Sequence, residues 1–335
     1  MGYVLTKNEF NKVLLSLKEN NKIFAPKVLE GKGTFSDTDI VRYAEISSVE
    51  EIEFEKKSAF SYKEVILPIT ETLFYFTEDE YSEPKVDNKG IIVFLRSCDL
   101  HSVKRIDEMY LRNGAIDPYY KRLRDKVKFI LIGCEKSFDN CFCVSMETNK
   151  SDNYDAYIKV NENEVMFDVK NEELVSLLNN IEKQEKEIKV DFVSENNVEV
   201  SISENLGLRI MDSSVWDEYS KRCIACGRCN FACPTCTCFT MQDIFYTDNQ
   251  KNGERRRVWA SCQVNGYTEM AGGHGYRNDK GQRMRFKVMH KVHDYKKRFG
   301  YHMCVGCGRC DDICPEYISF SNCVNKLGKA MEEVK

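Results

Sequence analysis

The sequence predicts a mixed α+β / α/β fold: an N-terminal α/β domain built on buried strands, then a helical, cysteine-rich C-terminal domain with a long insertion. Three observations carry this. The chain has 335 residues, more than one ordinary domain needs. Its 16 cysteines are unevenly placed, four in residues 1–222 and twelve in residues 223–323. Continuous apolar runs that read as buried strands lie in the first part, with helical patterns between and after them. With 42% hydrophobic and 30% charged residues, the chain can bury a sizeable core and is not a disordered polymer.

The first residues, MGYVLTKNEFNKVLLSLKENNK, are polar and amphipathic and contain no signal-peptide core. The apolar runs are a handful of residues long, against the ~20 of a membrane span. The expectation is a cytoplasmic chain with no membrane contact. Cytosolic thiols stay reduced, so the cysteines point to metal or redox chemistry rather than disulfides.

Ile91–Leu95 (IIVFL) reads as a buried strand that delivers Arg96-Ser97-Cys98-Asp99 at its end. Val103–Leu111 reads as a helix, and Val127–Ile132 as a second buried strand delivering Gly133-Cys134. Cys141 and Cys143 follow in a short loop. Tyr157–Val169 alternates like a hairpin turning at Asn161–Asn163. A short helix over Glu172–Leu178 and a strand over Ile188–Val193 complete this part. The domain boundary falls between about Ser203 and Ser213, giving domains 1–205 and 206–335. Ser214–Lys221 and Gln282–Phe299 read as helices, the second inside an insertion over 239–300.

Within the second domain one pattern occurs twice: Cys223-x2-Cys226-x2-Cys229-x3-Cys233-Pro234 and Cys304-x2-Cys307-x2-Cys310-x3-Cys314-Pro315. This is the bacterial ferredoxin run for a [4Fe–4S] cube, in which the fourth cysteine ligates the other cluster. The expected ligand sets are therefore Cys223, Cys226, Cys229 and Cys314 for one cube, and Cys304, Cys307, Cys310 and Cys233 for the second. Gly227 and Gly308 relieve crowding where each loop turns. The competing reading is zinc in an interaction or nucleic-acid module, but zinc knuckles rarely use a 2-2-3 run ending in proline. Cys98, Cys134, Cys141 and Cys143 stand at strand ends and in an adjacent loop, and four thiols suffice for a third [4Fe–4S] cube. Against it, Cys98 and Cys134 end apolar runs, where packing alone can explain a cysteine. Asp99 and His101 adjoin the site; the histidine reads as a hydrogen-bonded structural residue. Arg96 and Lys136 are either partners of an anionic cluster or surface charges. Cys236, Cys238, Cys262 and Cys323 remain, as small buried hydrophobes or further ligands.

Residues 251–300 carry 13 Lys/Arg and 4 Asp/Glu, a local excess of +9 in a chain of net charge −4. Arg255–Arg257 and the Arg283–Lys287 run suit docking to an acidic partner or offsetting cluster charge; the acidic remainder argues against nucleic acid. No G-x-G-x-x-G follows a strand, and no P-loop, G-x-S-x-G or H-E-x-x-H occurs. The sequence offers no flavin, nicotinamide or sirohaem site and no catalytic residue, so it reads as an electron conduit.

The run 223–239 (CIACGRCNFACPTCTCF) resembles the iron–sulfur electron-transfer subunit of anaerobic sulfite reductases, a relative of the β subunit of soluble sulfhydrogenases. Trp259–Cys262, Ala271–Arg277, His290-Lys291, Lys63–Phe76, Arg96–Asp99 and Gly133-Cys134 through Cys143 carry the same likeness. The resemblance implies a cytoplasmic complex. In it, a flavin-containing, NAD(P)H-oxidising flavoprotein would supply electrons, and a sirohaem protein would reduce sulfite to sulfide. The alternative it leaves open is the β subunit of a nickel–iron sulfhydrogenase.

Overall fold

The structure, a computed structural model, describes residues 1–35 and 37–334. In chain order the main strands are β1 (Gly2–Thr6), β2 (Asn21–Leu29), β3 (Ile40–Glu45), β4 (Thr70–Phe76), β5 (Tyr81–Ser82), β6 (Gly90–Leu95) and β7 (Val127–Ile132). Then follow β8 (Ala156–Val160), β9 (Glu164–Val169), β10 (Gln184–Glu185), β11 (Phe239–Phe245) and β12 (Gly253–Trp259). One eight-stranded sheet runs in the order β10-β1-β9-β8-β7-β6-β2-β3. Its centre is parallel, β2 with β6, β6 with β7 and β7 with β8; its flanks are antiparallel.

Strand side chains alternate between faces, and both faces of the parallel centre are covered. Ile92 and Phe94 of β6, with Ile130 and Ile132 of β7, enter one core. Val93, Leu95, Phe129 and Leu131 enter the other. The first core is closed by the helix Lys7–Asn20, which begins because Thr6 accepts a hydrogen bond from the Glu9 amide. Its Phe10, Val13, Leu14 and Leu17 recur at helical spacing and are all buried. Each contributes about 1.5–3 kcal/mol of burial. The expected strands 91–95 and 127–132 and the hairpin 157–169 are present.

Two expectations are corrected. The helix expected from Val103 begins at Ser97 and runs to Asp107, continuing as a wider turn to Arg112. Its first part holds Asp99 and Ser102, which are buried rather than exposed. Ser102 shares a 2.9 Å hydrogen bond with Tyr62 and bonds the Asp99 carbonyl, so polar residues lie on the inner face and hide the helical period. Residues 188–193 form no strand. They run extended past Cys134, whose amide bonds the Asp191 carbonyl at 3.3 Å, and pack Ile188, Val190 and Phe192 on the second core without a ladder. The helix expected over 172–178 spans Glu172–Ser176.

The C-terminal part is helical. A continuous helical rod covers Lys280–Phe299, and a last helix, Phe320–Glu333, buries Phe320, Cys323, Val324, Leu327 and Ala330. Between them lies a core that includes Trp216, Tyr219, Met284 and Val288. The segment 239–300 does not stay with these helices alone. Its hairpin β11–β12 joins β4 and β5 in a second sheet, so residues from both ends of the chain share one ladder. Among the described residues, no helix is long and apolar enough to cross a membrane.

Candidate metal centres

Each ferredoxin-type loop turns at a glycine in the left-handed region and enters a one-turn helix: Gly227 before Arg228–Phe231, Gly308 before Arg309–Asp312. The loops enclose two hollows. Cys223, Cys226, Cys229 and Cys314 line the first, together with Gln263, Lys287 and Phe320. Cys233, Cys304, Cys307 and Cys310 line the second, with Lys287, Lys291 and Phe320 again in the wall. Cys310 also touches the first hollow, so the two share a partition.

A third hollow lies at the carboxyl ends of β6 and β7. It is lined by Cys98, Cys134, Cys141 and Cys143, with Lys57, Arg96, Ser97, Lys136 and Arg309. The helix start at Ser97 lifts Cys98 off the strand end, and β7 delivers Cys134 beside it. The 140–143 loop is held against the second ferredoxin loop by backbone: the Phe142 amide donates to the Gly306 carbonyl at 2.8 Å. Only glycine permits this approach. A Cβ on Gly308 would lie 2.2 Å from the Asn140 carbonyl oxygen, and one on Gly306 2.5 Å from that of Phe142.

Do these donors fit cubes? A zinc ion would gather four sulfurs at about 2.3 Å from one point. Among the described residues, no three His, Cys, Asp or Glu side chains converge on one ion. The thiols instead surround hollows, the arrangement needed by a cube whose four irons, at alternate corners, each take one thiolate. The walls are also electropositive. Lys287 and Lys291 in these walls are 4% and 3% exposed, and Lys63, which lines no hollow, is 2% exposed beside the Cys236 carbonyl. Among the described residues none of the three pairs with a carboxylate, and the titratable groups that act on them most are thiols and one another. Burial alone would lower the Lys287 pKa; Cys229, Cys310 and Cys236 outweigh it and hold it well above the ordinary value. Lys291 is raised against burial in the same way, by Cys233, Cys236 and Cys304. For Lys63 burial prevails and lowers the pKa, although its ammonium bonds the Cys236 carbonyl at 2.8 Å and lies 4.0 Å over the Trp259 ring. Uncompensated buried charge costs about 3–5 kcal/mol, so Lys287 and Lys291 call for anions in the hollows.

The third hollow is faced by guanidinium groups. Arg96 donates to Cys134 Sγ at 3.4 Å and stacks 4.6 Å from the Phe138 ring. Arg309, from inside the second ferredoxin run, makes a bidentate pair with Asp99 at 2.6 and 2.9 Å. Both partners are at most 1% exposed. Lys57 bonds the Cys307 carbonyl at 2.9 Å, pairs with Asp312 at 2.6 Å and reaches Cys141 Sγ at 3.7 Å. The Ser97 hydroxyl is buried in this wall without a partner, a donor aimed at whatever fills the hollow. Burial raises the free thiols, Cys304 to about 11 and Cys143 and Cys307 to about 12. They are therefore neutral near pH 7, and binding iron must release their protons.

The sequence did not single out Lys57, Lys291 or Arg309 as wall residues, whereas Lys287 belongs to the Arg283–Lys287 run read as docking an acidic partner or offsetting cluster charge. Lys287 and Lys291 stand four apart among Met284 and Val288, an apolar stripe that a helical reading can flag. The arginines of the basic segment behave differently. Arg255 pairs with Asp243, Arg256 with Glu254, and Arg257 with Glu71 and Asp117, so the triplet is neutralised by carboxylates around its own sheet. His101 bonds the Lys150 carbonyl at 2.6 Å, a structural role. Cys323 is fully buried in the last helix. A separate cavity of about 480 Å³ lies at the opposite end of β6, where Lys22, Lys89, Arg122 and Tyr119 line it and no cysteine does.

Residues 222–318 match the 4Fe-4S dicluster domain family. Over 99% of its length the chain is 28% identical to sulfhydrogenase 2 subunit beta of Pyrococcus furiosus, all of which is covered. No solved structure matches the chain significantly. The C-terminal third is thus a ferredoxin-type 4Fe-4S dicluster domain, borne on a chain similar from end to end to a sulfhydrogenase beta subunit.

Proposed function

We propose that this chain is the electron-transfer subunit of a multi-subunit oxidoreductase of the sulfhydrogenase type, holding three [4Fe–4S] cubes in a row. The observation that carries this is the set of three cysteine quartets, each around its own hollow and each walled by buried cations. When bound, a cube of this type supplies a one-electron step at a potential set by its surroundings. The residues of the chain bind, position and charge-balance. Cys310, Lys287 and Phe320 join the first and second hollows. Lys57 and the Arg309–Asp99 pair join the second and third. The order first–second–third supports a path from one face of the molecule to another, with bond chemistry left to partner proteins.

The full-length likeness to a sulfhydrogenase beta subunit favours a nickel–iron partner over the sirohaem partner that the motif resemblance implies. The sulfite-reductase reading keeps one support, the likeness of the 223–239 run. The flavin-containing NAD(P)H-oxidising partner that the motif resemblance implies would stand at the other end. Affinity purification from anaerobic cells, with partners identified and metals counted, separates them. The sulfhydrogenase reading predicts a nickel-containing partner; a sirohaem absorbance band without nickel would overturn it. In that complex, Cys226→Ser or Cys307→Ser should abolish NAD(P)H-dependent turnover, while the terminal enzyme still turns over with an artificial electron donor. Equal loss of both activities would contradict a relay.

A further inference from the structure

Two of the remaining cysteines meet. Cys238 precedes β11 and Cys262 follows β12, and the hairpin brings them together: Phe239 pairs with Trp259, the Ala260 amide donates to the Cys238 carbonyl at 2.9 Å, and each thiol shifts the titration of the other. Neither lines any of the three hollows.

The surroundings of the pair are polar. Cys262 Sγ accepts from Asn230 Nδ2 at 3.0 Å and from Gln263 Nε2 at 3.7 Å. Asn230 is 1% exposed and its side-chain oxygen lies 3.8 Å from Cys229 Sγ. Gln263 lies in the wall of the first hollow. Both amides thus connect the thiol pair to that hollow. On the other side, Cys238 is half-buried, and the neighbouring Tyr267 hydroxyl also lowers its pKa. The pair is also asymmetric. The hydrogen bond from Cys262 pulls the Cys238 thiol down to about 6, while Cys262 is pushed up and keeps its proton. One acidic thiol beside one that holds its proton is the arrangement of redox-active dithiols.

We propose that Cys238 and Cys262 are a redox-active dithiol, a two-electron centre beside the one-electron iron–sulfur site of the Cys223–Cys226–Cys229–Cys314 hollow. This rests on the cluster reading of that hollow. Oxidation starts from the Cys238 thiolate and the Cys262 thiol. The Cys262 S–H bond breaks, one Sγ–Sγ bond forms, and one proton leaves to solvent past Tyr267. Two electrons are released, and a cluster held by Cys223, Cys226, Cys229 and Cys314 would take them one at a time, passing the first to the next carrier in the row before accepting the second. Reduction reverses each change. The pair gives a chain of one-electron carriers a place to collect two.

The test uses the full chain with its iron, handled without oxygen. Samples are poised at stepped potentials, quenched in acid, alkylated with N-ethylmaleimide and mapped by peptide mass spectrometry. Iron is counted in the same samples. The expected result is joint loss of label at Cys238 and Cys262 as the potential rises, along a two-electron curve, with a linked 238–262 peptide. Cys323 should stay labelled throughout. In Cys238→Ser, Cys262 should stay labelled at every potential and iron should be unchanged, because neither thiol lines a hollow. Full labelling of both cysteines at all potentials overturns the dithiol. A two-electron curve in a chain lacking iron at the Cys223 hollow keeps the dithiol and sinks the cluster reading instead.

Discussion

The first two hollows and the third solve the same problem by different means. In the ferredoxin-type loops the donors are nearly contiguous, two runs of four cysteines each wrapped around a glycine turn. In the third, Cys98, Cys134, Cys141 and Cys143 come from a helix start, a strand end and a loop, and only the parallel sheet brings them together. The counter-charges differ as well. Lysines without carboxylate partners face the first two hollows, whereas Arg96 and a carboxylate-paired Arg309 face the third. A short loop can specify a site by spacing alone; a site assembled by tertiary structure needs its walls fixed by buried ion pairs.

That contrast can be broken experimentally. The largest effect should come from Arg309→Met, which strands a buried Asp99 carboxylate. It should cost about 3–5 kcal/mol in anoxic denaturant unfolding, and the Asp99→Asn/Arg309→Met double variant should recover part of it. An unchanged midpoint for the single variant would show that the third hollow does not depend on this pair. Leu14→Ala is the comparison on the far face of the sheet. It should cost about 3 kcal/mol through the cavity it leaves, yet retain full iron content, because no hollow touches that core. Iron loss in this variant would mean that general destabilisation empties the sites.

Lys287→Met should leave iron in place and lower the reduction potentials of the two ferredoxin-type sites, since removing a buried cation makes adding an electron harder. Redox titration followed by electron paramagnetic resonance reads this out, and the third site should not move. A uniform shift of all three would erase the electrostatic distinction. Smallest of all, Arg255→Ala should change neither the melting temperature nor partner recovery, because this exposed residue is paired with Asp243 within the sheet. Loss of a partner on this change would restore the basic segment as a docking face.

The same contrast explains what was legible in the sequence. The eight ferredoxin cysteines declare themselves by spacing. The buried strands 90–95 and 127–132 are visible as unbroken apolar runs, because parallel strands are covered on both faces. The third quartet was legible only as four thiols near strand ends. Of its walls, Arg96 and Lys136 were readable as partners of a cluster or as surface charges, but the Asp99–Arg309 pair was not, since these are 210 positions apart and nothing local marks either as a partner of the other. The pairing of β4 with β12 was hidden for the same reason. Gly306 and Gly308 could be read as turn residues, but their closeness to Asn140 and Phe142 is a tertiary fact. The run 188–193 misled in the other direction: its alternation reports packing on one core without a partner strand.

The central claim is that all three hollows hold cubes. The most direct measurement is iron and acid-labile sulfide per chain, purified without oxygen, for the wild-type protein and for Cys134→Ser with Cys141→Ser. The account predicts about twelve of each in the wild type, falling to about eight in the double variant with both ferredoxin-type signals intact. About eight in the wild type, unchanged by the substitutions, would contradict it.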